Sequence, residues 1–393
     1  MKNTKKNKIT TLKSKLSKKK SKERYLPTFI LSMRDDGVEY NTDIFRKMII
    51  NLGLTETKNT TDSTSYLHMQ HMANKKYESK YYNTPTLLMN ILDDEKEVIT
   101  NKSNLYENFY KKFPSICNKY MAKTWNIKKF NSKMFISKDG VNNVFIVRPV
   151  GIGAFSGVGI EVVSSFKDLT MVRRKLEKKF PTIIVSEYIT NPMLWEGKKF
   201  HLRTYLLAKI INGILTTYFY DFYEVFTAEK PYIANNWHDM DIHDTHLKSV
   251  GKYIVGPIDF DTYTRKLFNT KIWPAMADCM KYVSKLLEKH AKPFQNSENA
   301  FEVLGCDFMI TNVHKVKLLE VNARTGLSMQ DFPDRRDEFS ILYFGKIRDN
   351  VLIPLFNPDN KEKKEYAQEP IFVSKVATKM SAKMSTKMSN KIS

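Results

Sequence analysis

Cysteine is scarce in this sequence, and the three cysteines that it contains lie far apart. Cys117, Cys279 and Cys306 are odd in number, and their spacing matches no structural-metal pattern. A disulfide framework and a cysteine-rich zinc site are therefore not expected. Free thiols in a reducing compartment are expected instead.

Long apolar runs are lacking as well. No run approaches the roughly 18–20 residues that a membrane-spanning helix needs, so no membrane span is expected. The lysine-rich N-terminus is not followed by an apolar segment, so it does not resemble a secretory signal. These absences predict a cytoplasmic protein, and the lysine run at 18–20 leaves a nuclear signal open.

Acidic residues are outnumbered, and the formal net charge is +22. Residues 1–24 hold ten Lys, one Arg and one Glu, and residues 371–393 hold five Lys and no acid, so only +7 remains for the body of the chain. Segments rich in Lys, Ser, Thr and Asn cannot bury a core. We therefore expect disordered, basic tails over 1–24 and 357–393. Such tails attract polyanions in general (nucleic acid, a membrane or an acidic protein tail), and nucleic acid stays open as a partner through the tails only.

The chain is long enough for two or three domains. We predict an N-terminal α/β domain over 25–115, a central domain with a glycine loop over 116–190 and a C-terminal domain over 191–356. Apolar periodicity and turn residues predict the following elements: strands over 28–33, 144–149, 182–189, 202–211 and 214–220, helices over 43–52, 166–179, 274–290 and 337–351, and a polar loop over 55–64. The hairpin signals, such as Asn212–Gly213, favour a mixed α+β class over a βαβ array.

Three oxygen-bearing side chains lie on two apolar strands late in the chain. Glu320 and Asn322 are two residues apart and share one strand face. A hairpin centred on Val313–His314 would set Asp307 opposite Glu320, with Cβ atoms roughly 5 Å apart. Carboxylate and amide oxygens are the ligands that Mg²⁺ prefers, so these residues predict a magnesium site. A solvated hairpin with its polar face outward stays open as the alternative.

A glycine-rich segment over 150–159 separates two predicted strands. Glycine lets backbone N–H groups approach phosphate oxygens closely. Because no helix follows directly, neither a Rossmann turn nor a Walker loop is indicated. A flexible hairpin that covers a nucleotide fits better, with Arg148 beside it as a bidentate phosphate ligand. A tight surface hairpin, with Arg148 in a surface salt bridge, remains the alternative.

The segment around Phe200 places several cations on one strand face. Lys199, His201 and Arg203 alternate with apolar residues, and such a face favours an anion, although an exposed basic strand is the alternative. A second polar cluster lies over 238–246, with three His and three Asp. Its spacing fits no standard zinc pattern, so a polar loop on the substrate side is favoured over a transition-metal site.

Five motifs occur in a fixed order along the chain. They are Phe-Ile-Val-Arg-Pro at 145–149, Ser-Gly-Val-Gly-Ile at 156–160, Lys-Phe-His-Leu-Arg at 199–203, Phe-Glu-Val-Leu-Gly-Cys-Asp-Phe at 301–308 and Leu-Leu-Glu-Val-Asn at 318–322. In this order and spacing they resemble the tubulin–tyrosine ligase-like family of ATP-grasp ligases, with weaker similarity at 97–105 and 123–127. The resemblance covers roughly residues 25–350, and the Glu-Val-Asn end of the late hairpin is its most specific part.

The resemblance implies an ATP-grasp fold with a nucleotide site between two antiparallel sheets, and ATP and Mg²⁺ as cofactors. Arg203 matches the catalytic arginine at the γ-phosphate, and the metal ligands are Asp307, Glu320 and Asn322. The implied ATP-binding residues are Arg148, Gly153, Ser156, Gly157, Gly159, Ile160, Glu187, Tyr188, Ile189, Lys199 and His201.

Several positions depart from the pattern of the family. In the adenine-linker segment, Ser186-Glu187-Tyr188-Ile189 stands where Gln-Lys-Tyr-Ile is usual. Arg148 stands where lysine is usual, and His201 stands where aspartate is usual. Phe226 replaces an acceptor-binding arginine, and Ser249 ends a His-Leu-Lys-Ser segment that is usually His-Leu-Thr-Asn. The positions for ATP and the metal are thus mostly kept, whereas the positions that face the acceptor are altered.

The implied function is an ATP- and Mg²⁺-dependent ligase that acts as a monomer. It would add an amino acid, of the glutamate, tyrosine or glycine type, to a protein or peptide through an acylphosphate. The expected partners are a free amino acid and an acidic protein or peptide, with the tubulin C-terminal tail as one candidate. Two alternatives stay open: a catalytically impaired ATP-grasp binding module, and a lysine-rich nucleic-acid-binding protein.

Overall fold

The structure is a computed structural model that describes the following residues: 28–32, 42–57, 65–68, 87–89, 97–136, 143–151, 158–245, 252–254, 259–291, 299–323, 336–356 and 364–376. The predicted loop residues Gly153, Ser156 and Gly157 lie outside this set, as do Ser249, the tail 1–24 and most of the tail 357–393.

The strands that follow are numbered in chain order. They are β1 Thr28–Ser32, β2 Thr55–Glu56, β3 Ser65–His68, β4 Leu87–Met89, β5 Thr124–Asn126, β6 Phe145–Val150, β7 Glu161–Val163, β8 Thr182–Glu187, β9 Leu194–Trp195, β10 Lys198–Ile211, β11 Ile214–Phe219, β12 Tyr223–Pro231, β13 Lys252–Ile254, β14 Asn299–Ile310, β15 Val316–Asn322 and β16 Phe372–Lys375.

The helices are numbered in the same way. They are α1 Thr42–Asn51, α2 Glu97–Thr100, α3 Lys102–Lys112, α4 Pro114–Tyr120, α5 Phe166–Leu176, α6 Met240–His243, α7 Thr262–Leu267, α8 Trp273–Leu287, α9 Arg336–Ile347 and α10 Ile353–Phe356, with 3₁₀ turns at Ile127–Lys129 and Ser132–Phe135 and π-helical turns at Phe268–Ile272 and Arg348–Leu352.

A nine-stranded sheet is built around the long strand β10. On one edge β10 pairs with β12 and then with β11, and on the other edge it pairs with β14, always antiparallel. Asn212 and Gly213 join β10 to β11 with φ of 52° and 73°, the positive values that a tight type I′ hairpin requires. The hairpin predicted at this dipeptide is confirmed.

A smaller antiparallel sheet, in the order β5-β8-β6-β7, carries the strand that contains Arg148. One face is covered by α5 and the two 3₁₀ turns through an apolar cluster that includes Phe145, Val185 and Leu176. Ser165 caps α5 by accepting from the backbone N–H of Asp168 at 3.1 Å, as its side chain type predicts. The other face of this sheet is left to line a cavity.

The main core lies on the nine-stranded sheet, beneath α8. Met276, Met280, Val283 and Leu287 of this helix are buried, as the helical spacing predicts. The core extends into the predicted N-terminal domain, because β4 pairs with β14 and the Phe45 ring stacks on another core ring at 4.6 Å. The three cysteines are buried and free, as expected.

Three segments differ from prediction. Thr55–Glu56, predicted as loop, pairs with β1 in a parallel sheet. Residues 364–376 fall within the predicted disordered tail, but β16 pairs with β11 there, since Ile371, Phe372 and Val376 provide apolar surface that packs on the main core. The predicted helix 337–351 is α9 followed by a π-helical turn. Among the described helices, none combines the length and apolarity needed to span a membrane.

Candidate active site

A cavity of about 460 Å³ is flanked by residues of both antiparallel sheets. Its wall contains ten of the residues predicted to bind ATP or metal, together with Lys102, His243, Asp244 and Thr245, which were not predicted as site residues. The ten are Arg148, Ile160, Glu187, Tyr188, Ile189, Lys199, Arg203, Asp307, Glu320 and Asn322.

The predicted metal residues converge on one wall. Asp307 and Glu320 are register partners in the β14–β15 hairpin, and a bulge follows directly after Asp307. The Asn322 side-chain nitrogen lies 3.2 Å from Asp307 Oδ2 and 3.0 Å from Glu320 Oε1, so three oxygen-bearing groups meet within hydrogen-bond distance. Asp307 is 1% exposed, which argues against a hairpin that turns its polar face to solvent.

Two cations balance these carboxylates. Arg203 donates from Nε to Asp307 Oδ1 and from Nη2 to Oδ2, both at 2.7 Å, and Lys102 Nζ lies 2.7 Å from Glu320 Oε2. Burial lowers the pKa of Arg203, but the adjacent Asp307 carboxylate outweighs it and raises the pKa above its usual range. Lys102 is the first residue of α3. It lies within the segment 97–105, and the weak similarity of this segment to the family is the one sequence feature from which its place in the site could have been predicted.

A row of charged side chains crosses four strands of the large sheet. Arg203 on β10 is the register partner of Asp307 on β14 and of Glu224 on β12, and Asp307 in turn faces Glu320 on β15. Burial raises the pKa of Glu224 to about 7, although Arg203 opposes this shift, and the hydroxyl of Tyr205 donates to the carboxyl group. Asp307 thus holds the guanidinium of Arg203 through two hydrogen bonds, and Glu224 adds a nearby acidic group on the other side.

Two further cations line the cavity without a salt bridge among the described residues. Arg148 donates from Nη2 to Ser186 Oγ at 3.2 Å, whereas its Nε is buried with no hydrogen-bond partner there, and burial lowers its pKa. Lys199 is 3% exposed, and burial lowers its pKa to about 7, with Asp244 opposing and Arg148 adding to the shift. Two desolvated cations that repel each other favour an anion between them.

Two predicted ATP-binding residues lie elsewhere. The His201 ring is 1% exposed, stacks on Phe226 of β12 with centroids 4.9 Å apart and contacts Thr245 Oγ1 through Nδ1 at 2.6 Å. Its side chain therefore does not line the cavity, because it is held by the neighbouring strand. Gly159 has φ of 77°, and a Cβ there would lie 3.1 Å from Leu176 and Pro149, so the described contacts give Gly159 a turn role.

The described part of the cluster, residues 238–245, forms a polar segment that contains the short helix α6 and ends in the cavity wall. Asp239 caps α6, and Lys230 pairs with Asp239 and Asp241 at 3.0 and 2.9 Å. His243 is 3% exposed and hydrogen-bonds to Tyr188. Within the described part of the chain, no group of three His, Cys, Asp or Glu side chains is arranged to hold a metal ion. These contacts favour the loop interpretation over a transition-metal site.

The family model of the tubulin-tyrosine ligase family matches residues 65–336, more than half of the chain. The chain belongs to the tubulin–tyrosine ligase family. A probable tubulin–tyrosine ligase of Saccharomyces cerevisiae, PBY1, is 27% identical over 218 residues, which are 49% of this chain and 27% of that protein. A probable tubulin–tyrosine ligase of Schizosaccharomyces pombe is 28% identical over 188 residues, 45% of this chain and 44% of that protein.

Family members with another specificity also match this chain. Tubulin glycylase 3C of Tetrahymena thermophila is 22% identical over 207 residues, which cover 47% of this chain and 18% of that protein. The aligned part of this chain thus spans less than half the length of these curated tubulin–tyrosine ligase relatives.

A solved structure of another protein is similar in fold to this chain. The C-terminal domain of K. lactis Pby1, an ATP-grasp enzyme interacting with the mRNA decapping enzyme Dcp2, superposes with a TM-score of 0.61 at 18% identity. The match covers 88% of this chain and 99% of that one. The predicted family and the predicted ATP-grasp α+β fold are both confirmed.

The residues of the late hairpin fit a magnesium ion. Two carboxylates and one amide converge on the cavity wall, and this hard-oxygen set is the one that Mg²⁺ binds in proteins. The carboxylates already attract two cationic side chains, which indicates that this wall favours positive charge. The roles of the individual site residues stay predictions.

Proposed function

We propose that this protein is an ATP- and Mg²⁺-dependent ligase that joins an amino acid to a protein or peptide through an acylphosphate. The observation that carries the proposal is the separation of charge in the cavity. One side holds the buried cations Arg148 and Lys199, and the other holds the oxygen ligands of the late hairpin. A triphosphate with a divalent cation is complementary to both sides.

Arg148 and Lys199 would bind the phosphates, and the apolar wall near the linker residues 187–189 would hold the base. Asp307, Glu320 and Asn322 would hold Mg²⁺, which supplies charge neutralisation at the phosphate oxygens when it is bound. Arg203 lies beside Asp307 in the same wall, where its guanidinium would stabilise the charge that develops on the transferred phosphoryl group.

The reaction that we propose has two displacements. A substrate carboxylate attacks the γ-phosphorus, the bond to ADP breaks, and an acylphosphate forms. An amine then attacks the acyl carbon, an amide bond forms, and phosphate leaves. The protein contributes positioning and charge stabilisation, so no covalent intermediate with a side chain is required.

We propose an acidic protein or peptide as one substrate and a free amino acid as the other. The tubulin–tyrosine ligases and tubulin glycylases among the relatives support a protein substrate, and the positive net charge favours an acidic one. The tubulin C-terminal tail is therefore the first candidate. We further propose a cytoplasmic monomer.

The test is an incorporation assay with each amino acid in turn, with ATP and Mg²⁺, read by mass spectrometry of acidic acceptor peptides and of a cell lysate. We expect ATP-dependent addition of one residue type. Glu320→Gln is expected to abolish ATP turnover while the variant stays folded. Turnover retained by this variant would remove Glu320 from the metal site.

A catalytically impaired binding module is the second candidate. The His201–Phe226 stack favours it, because Phe226 also lies 5.5 Å beneath the Arg203 guanidinium and fills space on the acceptor side with an apolar ring. This candidate predicts nucleotide binding without incorporation of any amino acid. Incorporation into any acceptor excludes it.

A further inference from the structure

His243 connects the polar loop to the cavity through its ring. The residue ends α6, is 3% exposed, and lines the cavity together with Tyr188 and Lys199. Its Nε2 lies 2.6 Å from the main-chain oxygen of Asn236, and its Nδ1 lies 2.7 Å from the Tyr188 hydroxyl. Both ring nitrogens are thus engaged inside the protein.

The directions of these hydrogen bonds follow from their chemistry. A carbonyl oxygen only accepts, so Nε2 carries the proton that is donated to Asn236. In a neutral ring Nδ1 then holds a lone pair, which accepts from the Tyr188 hydroxyl. The Tyr188 oxygen accepts in turn from Lys199 Nζ at 2.9 Å, and Lys199 Nζ also donates to the main-chain oxygen of His243 at 3.2 Å. The ammonium group is thus held by the main chain of His243 and by the Tyr188 hydroxyl, which the ring of His243 orients in turn.

The surroundings of the ring favour its neutral form. Trp237 stacks on it with centroids 5.7 Å apart, and Tyr232 meets it edge-on at 6.0 Å. Burial lowers the pKa of His243, and the nearby Lys199 charge lowers it as well. The Asn236 carbonyl and the Asp239 carboxylate oppose this shift.

We propose that His243 is a positioning residue for the phosphate-binding side of the cavity: as a neutral ring with its proton on Nε2, it orients the Tyr188 hydroxyl and so holds the Lys199 ammonium in place. The inference rests on the proposed nucleotide site. A doubly protonated ring would direct an N–H at the Tyr188 oxygen and place a second positive charge beside Lys199. Nucleotide affinity therefore falls as the pH drops through the pKa of His243.

Two matched variants distinguish the role of Nδ1 from that of Nε2. His243→Asn offers an amide oxygen near the position of Nδ1, so Tyr188 keeps its acceptor. His243→Gln carries its amide near the position of Nε2 and leaves Tyr188 without one. With the full chain and Mg·ATP in a calorimeter at neutral pH, we expect affinity within about threefold of wild type for Asn and a loss of about tenfold for Gln.

A Tyr188→Phe variant and a pH profile test the same hydrogen-bond chain. Tyr188→Phe removes the hydroxyl that joins His243 to Lys199, so we expect a loss of nucleotide affinity similar to that of His243→Gln. The double variant Tyr188→Phe/His243→Gln should lose no more than either single variant. As the pH is lowered through the depressed pKa of His243, the loss of affinity in the wild type is expected to be much smaller in His243→Asn. Equal affinities for the Asn and Gln variants, or an unchanged pH profile in His243→Asn, would overturn the inference.

A measurement without nucleotide keeps this inference separate from the proposed function. In ¹⁵N spectra of histidine-labelled protein, the His243 ring signals are those lost in His243→Asn. We expect a neutral ring protonated at Nε2 that resists protonation below the ordinary histidine pKa of about 6.5. A proton on Nδ1, or titration like an exposed imidazole, refutes the role of His243. Failure of the wild type to bind ATP refutes the nucleotide site instead.

Discussion

Lys199 carries an ammonium group that its buried position in the cavity wall stabilises poorly. Burial lowers its pKa from 10.5 to about 7, so at pH 8 the amine is mostly neutral. A phosphate beside it would raise this pKa again, and nucleotide binding at pH 8 is expected to take up close to one proton. The affinity should accordingly decrease as the pH rises above about 7. Calorimetry in buffers of different ionisation enthalpy measures the uptake. Lys199→Met should show none of it, and absence of uptake in the wild type would contradict the assignment.

Asp307 is the residue whose removal should cost the most stability before any ligand binds. Asp307→Asn leaves the Arg203 charge buried without its bidentate partner, and breaking such a pair costs about 3–5 kcal/mol. Glu320→Gln is the matched control, because Lys102 and Glu320 are 22% and 13% exposed, so water can still solvate the remaining lysine and the loss should be smaller than for Asp307→Asn. Urea unfolding in metal-free buffer compares them. Equal losses would show that the Arg203 pair contributes little.

Residue by residue, the predictable part of the site was the part that is local in sequence. The pairing of Asp307 with Glu320 follows from the symmetry of one hairpin, and the structure has that register. Lys102 and His243 reach the same cavity from segments roughly 200 and 60 residues away, and no spacing rule connects them. His201 is the converse case. Alternation along the strand predicted that its side chain would line the site with Lys199 and Arg203, but its ring stacks on Phe226 and does not line the cavity.

At the scale of elements, α9 and the π-helical turn after it contact residues 364–376. Gly345 faces the ring of Tyr366, and a Cβ at this position would overlap with the ring carbons. The Tyr366 backbone N–H donates to Asp349 at 2.6 Å, which ties residues 364–376 to the π-helical turn. The close contact explains why this helix carries glycine near its end.

Gly345→Ala is therefore expected to destabilise the protein by about 1–3 kcal/mol through overpacking. Chemical unfolding measures the change, and limited proteolysis should show earlier cleavage after residue 356. Combining it with Tyr366→Ala removes the clash, so the double variant should lose less than the two single losses added together. Strict additivity would mean that the ring does not pack against Gly345.

Elements were predictable where pattern and turn chemistry agree. The Asn212–Gly213 hairpin and the helix over 274–290 were both predicted from local residues, and the structure has each of them. The strands β2 and β16 were not predicted, because two and four residues give no periodicity, and their pairing with β1 and β11 depends on the rest of the fold. The domain boundaries stay predictions.

At the scale of the whole molecule, the charge is concentrated at the ends. Residues 1–24 contribute ten of the lysines. Deleting them is expected to weaken binding of a glutamate-rich peptide several-fold at low salt, because long-range attraction falls with net charge. The difference should vanish near 1 M salt, where the screening length is about 3 Å. Fluorescence anisotropy with a labelled peptide gives both values, and the thermal midpoint should not change.

The pairing of β10 also determines when, during synthesis of the chain, the nucleotide site can form. β10 obtains its hydrogen bonds from β9, β11, β12 and β14, and β14 begins only at Asn299 while it also pairs with β4 near residue 88. A ribosome must therefore release the chain beyond Asn299 before β14 can pair with β10 and β4, and contacts of such long sequence separation form slowly. Nascent chains stalled upstream of Asn299 should be unable to retain ATP.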